Sequence, residues 1–201
     1  MEFENLLLSI TDVSKALVDA LSGGLGVGYP ILFNAIGVIS IFLQFMIFQM
    51  ANKKKIVFVG ILSDIGWLLY FALQGDFISG TANIIGIMSK SVILLQSKHT
   101  WAGSKIWKYF FVSFAAVFSI LTFQVWMDVF ALIACSLSIL AFFMTKENDI
   151  RKTAMFAFCA FACNSISKMY IVALIADLTA LISIITSLIR YSKEDTKTEQ
   201  K

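Results

Sequence analysis

The chain has 201 residues, of which 59% are hydrophobic and only 14% are charged, and its formal net charge is +3. Soluble domains carry about 25% charged residues. The composition, with a mean hydropathy of +0.84, therefore excludes a soluble globular protein and predicts an integral membrane protein. The small net charge also argues against a nucleic-acid partner, because such a partner requires a contiguous basic face.

Residues 1–24 are predicted to form an amphipathic helix. Its apolar residues recur at helical spacing opposite an acidic face: Phe3, Leu6, Leu7, Ile10, Val13, Leu17 and Leu21. Glu2 and Glu4 stand where a secretory signal has basic residues, so we do not expect a signal peptide. We expect this helix to lie on the membrane or to cap the helix bundle, on the external side, since an acidic face gains nothing from an anionic inner leaflet.

Seven apolar stretches follow, each close to the roughly 20 residues that a membrane-spanning helix needs. They are residues 30–50, 56–74, 78–97, 106–124, 127–145, 153–169 and 171–190. The second and third helices, and the sixth and seventh, are joined by very short turns, which predicts two tight antiparallel hairpins. The boundary between the last two helices is weakly marked, because only Lys168-Met169-Tyr170 interrupts the apolar pattern.

Basic residues mark one side of the predicted bundle. All but three of the 16 Lys and Arg residues fall in four clusters: Lys53-Lys54-Lys55; Lys98, Lys105 and Lys108; Lys146, Arg151 and Lys152; and Arg190, Lys193, Lys197 and Lys201. Basic loops stay in the cytoplasm. The pattern predicts a multi-pass protein with its N-terminus outside and its C-terminus in the cytoplasm. The exceptions are Lys15, Lys90 and Lys168.

The layout of the first three helices recurs in the last three. Each triplet has a long apolar helix, a charged cytoplasmic loop and a hairpin with a tight external turn. We therefore predict an all-α membrane protein with two parallel three-helix repeats joined by a linker helix, the repeats being related by a pseudo-twofold axis along the membrane normal. The predicted segments are an N-terminal helix (1–24), a first repeat (25–97), a linker helix (98–125), a second repeat (126–192) and a cytoplasmic tail (193–201).

Several short motifs carry a family resemblance. Residues 60–75 (GILSDIGWLLYFALQG) run into Gly80-Thr81-Ala82-Asn83, and Asp177 is followed by Leu188-Ile189-Arg190-Tyr191. Over about residues 30–195 the chain resembles the bacterial inner-membrane YgjV family, within the SWEET and PQ-loop transporter superfamily. The resemblance implies an inner-membrane carrier of a small polar, sugar-like solute, with a central pocket between the triplets.

The resemblance also implies site residues. Asn83 and Asp177 match the third-helix polar positions that line the pocket in SWEET-type carriers. One departure stands out: superfamily carriers use prolines as hinges, often in a Pro-Gln motif, whereas this chain has Pro30 alone. Glycines such as Gly60 and Gly86 are the remaining candidates for flexibility.

Two charged residues inside the apolar stretches are positioned to pair. A charge at the bilayer centre costs about 2.5–3.5 kcal/mol on insertion scales, so such residues are functional candidates. Asp64 in the second helix and Lys90 in the third lie at similar depth on neighbouring helices, given a rise of 1.5 Å per residue. The pair is either a structural ion pair or part of a pocket wall or gate; Lys90 alternatively extends to the inner interface.

Four further residues are predicted to bind substrate: Asn83, Asp177, Asn164 and Trp67. By the same helical rise, Asn83 and Asp177 lie at similar depth in equivalent places of the two triplets. Facing Asn and Asp side chains suit hydroxyl, amide or cationic substrates, and an indole ring beside them can stack on a solute. The alternative is interhelical hydrogen bonding without a ligand.

Enzyme, metal and cofactor chemistry find no support in the sequence. The chain has one His and no hydrolase, metalloprotease or phosphate-loop motif, and Cys159 and Cys163 lack further ligands. The expected partners are the lipid bilayer and the solute, and oligomerisation is possible but not required. Two alternatives remain open: a PnuC-like vitamin or nucleoside carrier, and a non-transporting receptor or assembly protein.

Overall fold

The computed structural model of the protein describes Asp12, Ala16 and residues 18–75, 77–121 and 126–199, without the side chains of 77–79 and 192–199. From Gly28 onwards the described residues form seven α-helices: α1 (Gly28–Gln49), α2 (Lys53–Leu73), α3 (Phe77–Leu95), α4 (Ile106–Leu121), α5 (Asp128–Phe143), α6 (Glu147–Ser167) and α7 (Ile171–Glu199). Residues 18–25 are also helical, whereas most of the helix predicted over 1–24 lies outside the described residues. The described part of the chain contains no strand, which confirms the all-α class.

The helix bounds lie close to the predicted ones, with two exceptions. Helix α6 begins at Glu147 rather than at 153. Glu147 and Asp149 lie in its first turn, where the positive end of the helix dipole stabilises their negative charges. Helix α7 continues to Glu199 rather than ending at 190, so it runs through most of the predicted tail.

The two tight hairpins end their first helix in different ways. After α2 the chain turns at Gly75, whose φ of +75° is readily adopted by glycine. After α6 it turns at Met169, a non-glycine residue with φ +57°. There the amide of Tyr170 donates to the carbonyl of Ser165 and that of Met169 donates to the carbonyl of Ile166, which together form a Schellman motif.

Neighbouring helices form a closed circuit. Helix α1 packs against α2 and α7, and α2 packs against α3. On the other side α5 packs against α4 and α6, and α6 packs against α7. The circuit closes where α3 contacts α4 and α5, and these helices pack less extensively than the other neighbours. The helices therefore surround a common interior.

Among the described residues, three helices are long and apolar enough to cross a membrane, judged by length and composition. They are Gly28–Gln49, Lys53–Leu73 and the Ile171–Tyr191 part of α7. Shorter apolar helical stretches occupy Gly80–Leu95, Ile106–Leu121 and Asp128–Phe143. The burial pattern agrees with a lipid environment: Phe42 and Phe156 are more than half exposed, whereas Ser40 and Ser183 are buried. Exposed large apolar side chains around buried polar ones are the reverse of what a soluble protein shows.

The predicted position of Arg151 in a basic loop is wrong. Its place in a basic cluster of the sequence predicts a loop residue, but it lies in α6 and is only 1% exposed. Its guanidinium donates to the carbonyls of Phe48 (3.3 Å) and Met50 (2.8 Å), at the end of α1. Its side chain is buried because it caps carbonyls that α1 leaves without a helical partner.

Candidate functional site

A cavity of about 280 Å³ lies inside the circuit of helices. All seven helices contribute to its lining, and the six residues that the sequence analysis singles out are all among them: Asp64, Trp67, Asn83, Lys90, Asn164 and Asp177. The volume is near the lower end of the range of about 300–1,000 Å³ that is usual for small-molecule sites. The structure thus brings residues that are distant in sequence to one interior space.

Asp64 and Lys90 form an ion pair at this cavity. The Lys90 ammonium donates to Asp64 Oδ2 over 2.5 Å, and the two side chains are 7% (Lys90) and 15% (Asp64) exposed. Lys90 Nζ also lies 4.3 Å from the ring centroid of Phe142 on α5, a favourable cation–π contact. The lysine therefore links the α2–α3 hairpin to α5.

A second ion pair lines the same cavity. Lys168 Nζ, at the end of α6, lies 2.6 Å from Asp128 Oδ1, in the first turn of α5. The Asp128 side chain is 7% exposed and that of Lys168 is 31% exposed. This contact accounts for Lys168, one of the three basic residues that fall outside the clusters.

Asp177 on α7 is held by α6. The hydroxyl of Ser165 donates to Asp177 Oδ2 over 2.8 Å, and Asp177 is 7% exposed. The neighbouring Asn164 has a buried side-chain oxygen, Oδ1, that accepts no hydrogen bond from any residue that the structure describes. A buried acceptor without a donor typically costs about 1–3 kcal/mol, so this oxygen is a natural contact for a ligand.

Trp67 occupies a structural position at the edge of the cavity. Its indole N–H donates to Gln44 Oε1 on α1 over 2.6 Å, and the Gln44 amide donates to the carbonyl of Ala176 on α7 over 3.3 Å. The ring also stacks on Phe71, with 5.7 Å between centroids. Trp67 thus connects α2, α1 and α7, and because it is 6% exposed only a small part of it faces the cavity.

Residues 31–195 match the family model described as Imp-YgjV, bacterial inner membrane protein. The chain belongs to this family. Neither the curated proteins nor the solved structures compared with it include a match. Membership in the YgjV family, together with the apolar helices, establishes an integral membrane protein of the bacterial inner membrane.

Several polar residues that line this YgjV-family site were not predicted from the sequence, among them Gln44, Asp128 and Lys168. A signal exists for the ion pair, since Asp128 begins one helix and Lys168 ends the next, and antiparallel neighbours bring such ends together. Gln44 has no such signal, because a single amide in an apolar helix does not reveal its partner. Among the described residues no group of three or more His, Cys, Asp or Glu is placed to hold a metal ion.

Proposed function

We propose that this YgjV-family protein is a carrier or facilitator of a small polar solute, which binds in the central cavity. The observation that carries the proposal is the lining itself: five charged side chains and Asn83 and Asn164 face an interior enclosed by seven helices. Charged and polar groups are costly within a membrane and occur there mainly along solute and ion pathways. Asn83, Asn164, Trp67 and Asp177 are the proposed contacts.

The proposed architecture is two three-helix repeats joined by α4, with seven spans. The helix contacts support it, because α1–α2 and α2–α3 in the first triplet correspond to α5–α6 and α6–α7 in the second. The contacts between the triplets, α1 with α7 and α5 with α3, correspond in the same way. A pseudo-twofold axis along the membrane normal would then pass through the cavity, as in other carriers built from parallel repeats.

Among carriers, a PnuC-like vitamin site is less well supported, since that family is rich in tryptophan around its site. Trp67 is the one tryptophan among the described cavity-lining residues, and its indole N–H is already bonded to Gln44. A receptor or assembly protein would not transport a solute through the cavity, so transport assays distinguish it from a carrier.

Osmotic swelling of proteoliposomes tests the proposal. Vesicles containing the protein are mixed with polyols, pentoses, nucleosides and small amines, and the swelling rate is followed by light scattering. We expect faster swelling than in protein-free vesicles for at least one solute. The gain should disappear in Ala131→Phe, which fills the cavity, and persist in Ile133→Phe, an exposed position on the same helix. Equal rates with and without protein for every solute would reject a passive carrier.

A further inference from the structure

The charges around the cavity do not cancel. Five charged side chains line it: Asp64, Lys90, Asp128, Lys168 and Asp177. Four of them form the two ion pairs, Asp64 with Lys90 and Asp128 with Lys168. Asp177 has no salt-bridge partner within the described part of the chain, so the lining keeps one uncompensated carboxylate.

The surroundings of Asp177 do not supply the missing charge. Its carboxylate accepts a hydrogen bond from Ser165, a neutral donor, and it is 7% exposed. An ionised carboxylate accepts up to about four hydrogen bonds. A carboxylate buried with so little compensation either takes up a proton or pairs with a positive charge, so a positively charged ligand is the partner that holds Asp177 ionised.

Asn164 adds an independent observation on the adjacent helix. Its Oδ1 is buried and makes no hydrogen bond with the described residues. Asn164, Ser165 and Lys168 all line the cavity, and Lys168 lies on the same side of α6 as the other two because it follows Asn164 by four residues and Ser165 by three. The Asn164 oxygen and the Asp177 carboxylate are both acceptors, so together they call for a ligand that carries N–H donors as well as positive charge.

We infer that the cavity recognises a small organic primary ammonium compound, with Asp177 as its counter-charge and Asn164 Oδ1 as a second acceptor. A bare metal cation fits less well, because a cavity of about 280 Å³ is far larger than one ion and much of its lining is apolar, including Phe118 and Phe161. The apolar lining suits the carbon skeleton of such a ligand. This inference deepens the proposed carrier function and rests on the same cavity.

Ligand-dependent thermal stability of the purified full-length protein tests the inference, with ethanolamine compared with ethylene glycol, a neutral compound of similar size. We expect a saturable rise in Tm with ethanolamine alone. Asp177→Asn preserves shape and removes the charge, and should weaken apparent ethanolamine affinity by about 10- to 100-fold. Asp19→Asn, an exposed control, should leave it unchanged. Equal responses to the two compounds, or unchanged affinity in Asp177→Asn, would overturn the inference.

Two further readouts keep the test decisive. If Asp177→Asn does not fold, Asn164→Ala takes its place and should also weaken the ethanolamine response. Choline, which carries charge without ammonium N–H groups, should bind more weakly, and tighter binding of choline would overturn the primary-ammonium assignment.

Proteoliposome uptake then separates the proposed carrier function from the proposed ammonium site. Uptake of neutral solutes without amine binding would support the carrier function and reject the ammonium site. Asp177-dependent amine binding without uptake of any solute would support the ammonium site and reject the carrier function.

Discussion

Gly86 on α3 lies directly against the carboxylate of Asp64 on α2: a Cβ atom on Gly86 would come within 2.5 Å of Asp64 Oδ2. The relationship is reciprocal, since a Cβ on Gly60 would lie 3.1 Å from Cε of Lys90. In each helix the charged residue follows its glycine by four positions, one helical turn. The antiparallel helices thus place each charged side chain over the glycine of the other.

Gly86→Ala should therefore destabilise the protein by about 1–3 kcal/mol, the usual cost of an overpacked site. The added methyl group displaces the Asp64 carboxylate from Lys90 and so weakens a buried ion pair as well. Thermal unfolding of the purified protein measures the effect as a lower Tm.

Gly80→Ala is the matched control in the same helix. A Cβ there would meet Leu68 Cδ1 at 3.4 Å, an ordinary van der Waals contact. Both substitutions make the same gain in helix propensity, so the difference between them isolates the contact with Asp64. Equal Tm values for the two variants would show that the carboxylate moves aside without cost.

The Asp64–Lys90 pair should show strong energetic coupling. Asp64→Asn or Lys90→Met alone leaves one buried partner without the other, which typically costs about 3–5 kcal/mol. The double variant removes both and should cost clearly less than the sum of the single changes. A double-mutant cycle on unfolding free energies measures the coupling. Additive single effects would contradict it, and Lys98→Met, an exposed lysine, serves as the control.

Much of this arrangement follows from simple regularities of the sequence. Hydropathy predicts the helices, and the short turn near Gly75 predicts that α2 and α3 are antiparallel neighbours. With a fixed rise per residue, Asp64 and Lys90 then fall at similar depth, and the structure places them 2.5 Å apart. Local spacing suffices here because both residues belong to one hairpin.

Other features depend on contacts that local patterns do not contain. Met169 takes a position in the Schellman motif that glycine usually occupies, so the end of α6 carries only a weak sequence signal. Arg151 resembles a loop residue of a basic cluster until the end of α1 is placed beside it. Gln44 needs both Trp67 and α7 in place before its role is visible.

Reporter fusions should reproduce the orientation that the basic clusters of the sequence predict. Green fluorescent protein fused after Lys54 or after Lys201 should fluoresce, because both points are expected in the cytoplasm, where this reporter folds. Alkaline phosphatase fused after Gly75 should be active, since that turn is expected outside. Phosphatase activity after Lys54 would reverse the topology and exchange the cytoplasmic and external ends of the cavity.

Asn164 and its neighbour Ser165 should respond oppositely to truncation. Ser165→Ala removes the hydrogen bond to Asp177 and should lower unliganded stability by about 1–3 kcal/mol. Asn164→Ala removes an oxygen that has no donor within the described part of the chain, so unliganded stability should stay the same or rise. Thermal unfolding without ligand measures both. A clear loss of stability in Asn164→Ala would mean that the amide has a structural role in the empty protein.

Arg151 should be essential for stability, because it joins the end of α1 to α6 and α7. Its guanidinium reaches the carbonyls of Phe48 and Met50 and lies 4.2 Å from the ring centroid of Tyr191 on α7. Arg151→Met leaves those carbonyls without their donor and should cost about 1.5–3 kcal/mol or more for the charged hydrogen bonds.

Arg151→Lys should recover only part of this loss, since a single ammonium lacks the planar fork that spans both carbonyls. Lys152→Met, at the exposed neighbouring position, should change the unfolding free energy by less than about 0.5 kcal/mol. Unfolding in mixed detergent micelles ranks the three variants. Full stability in Arg151→Lys would show that positive charge alone, without the two-carbonyl geometry, holds α1 in place.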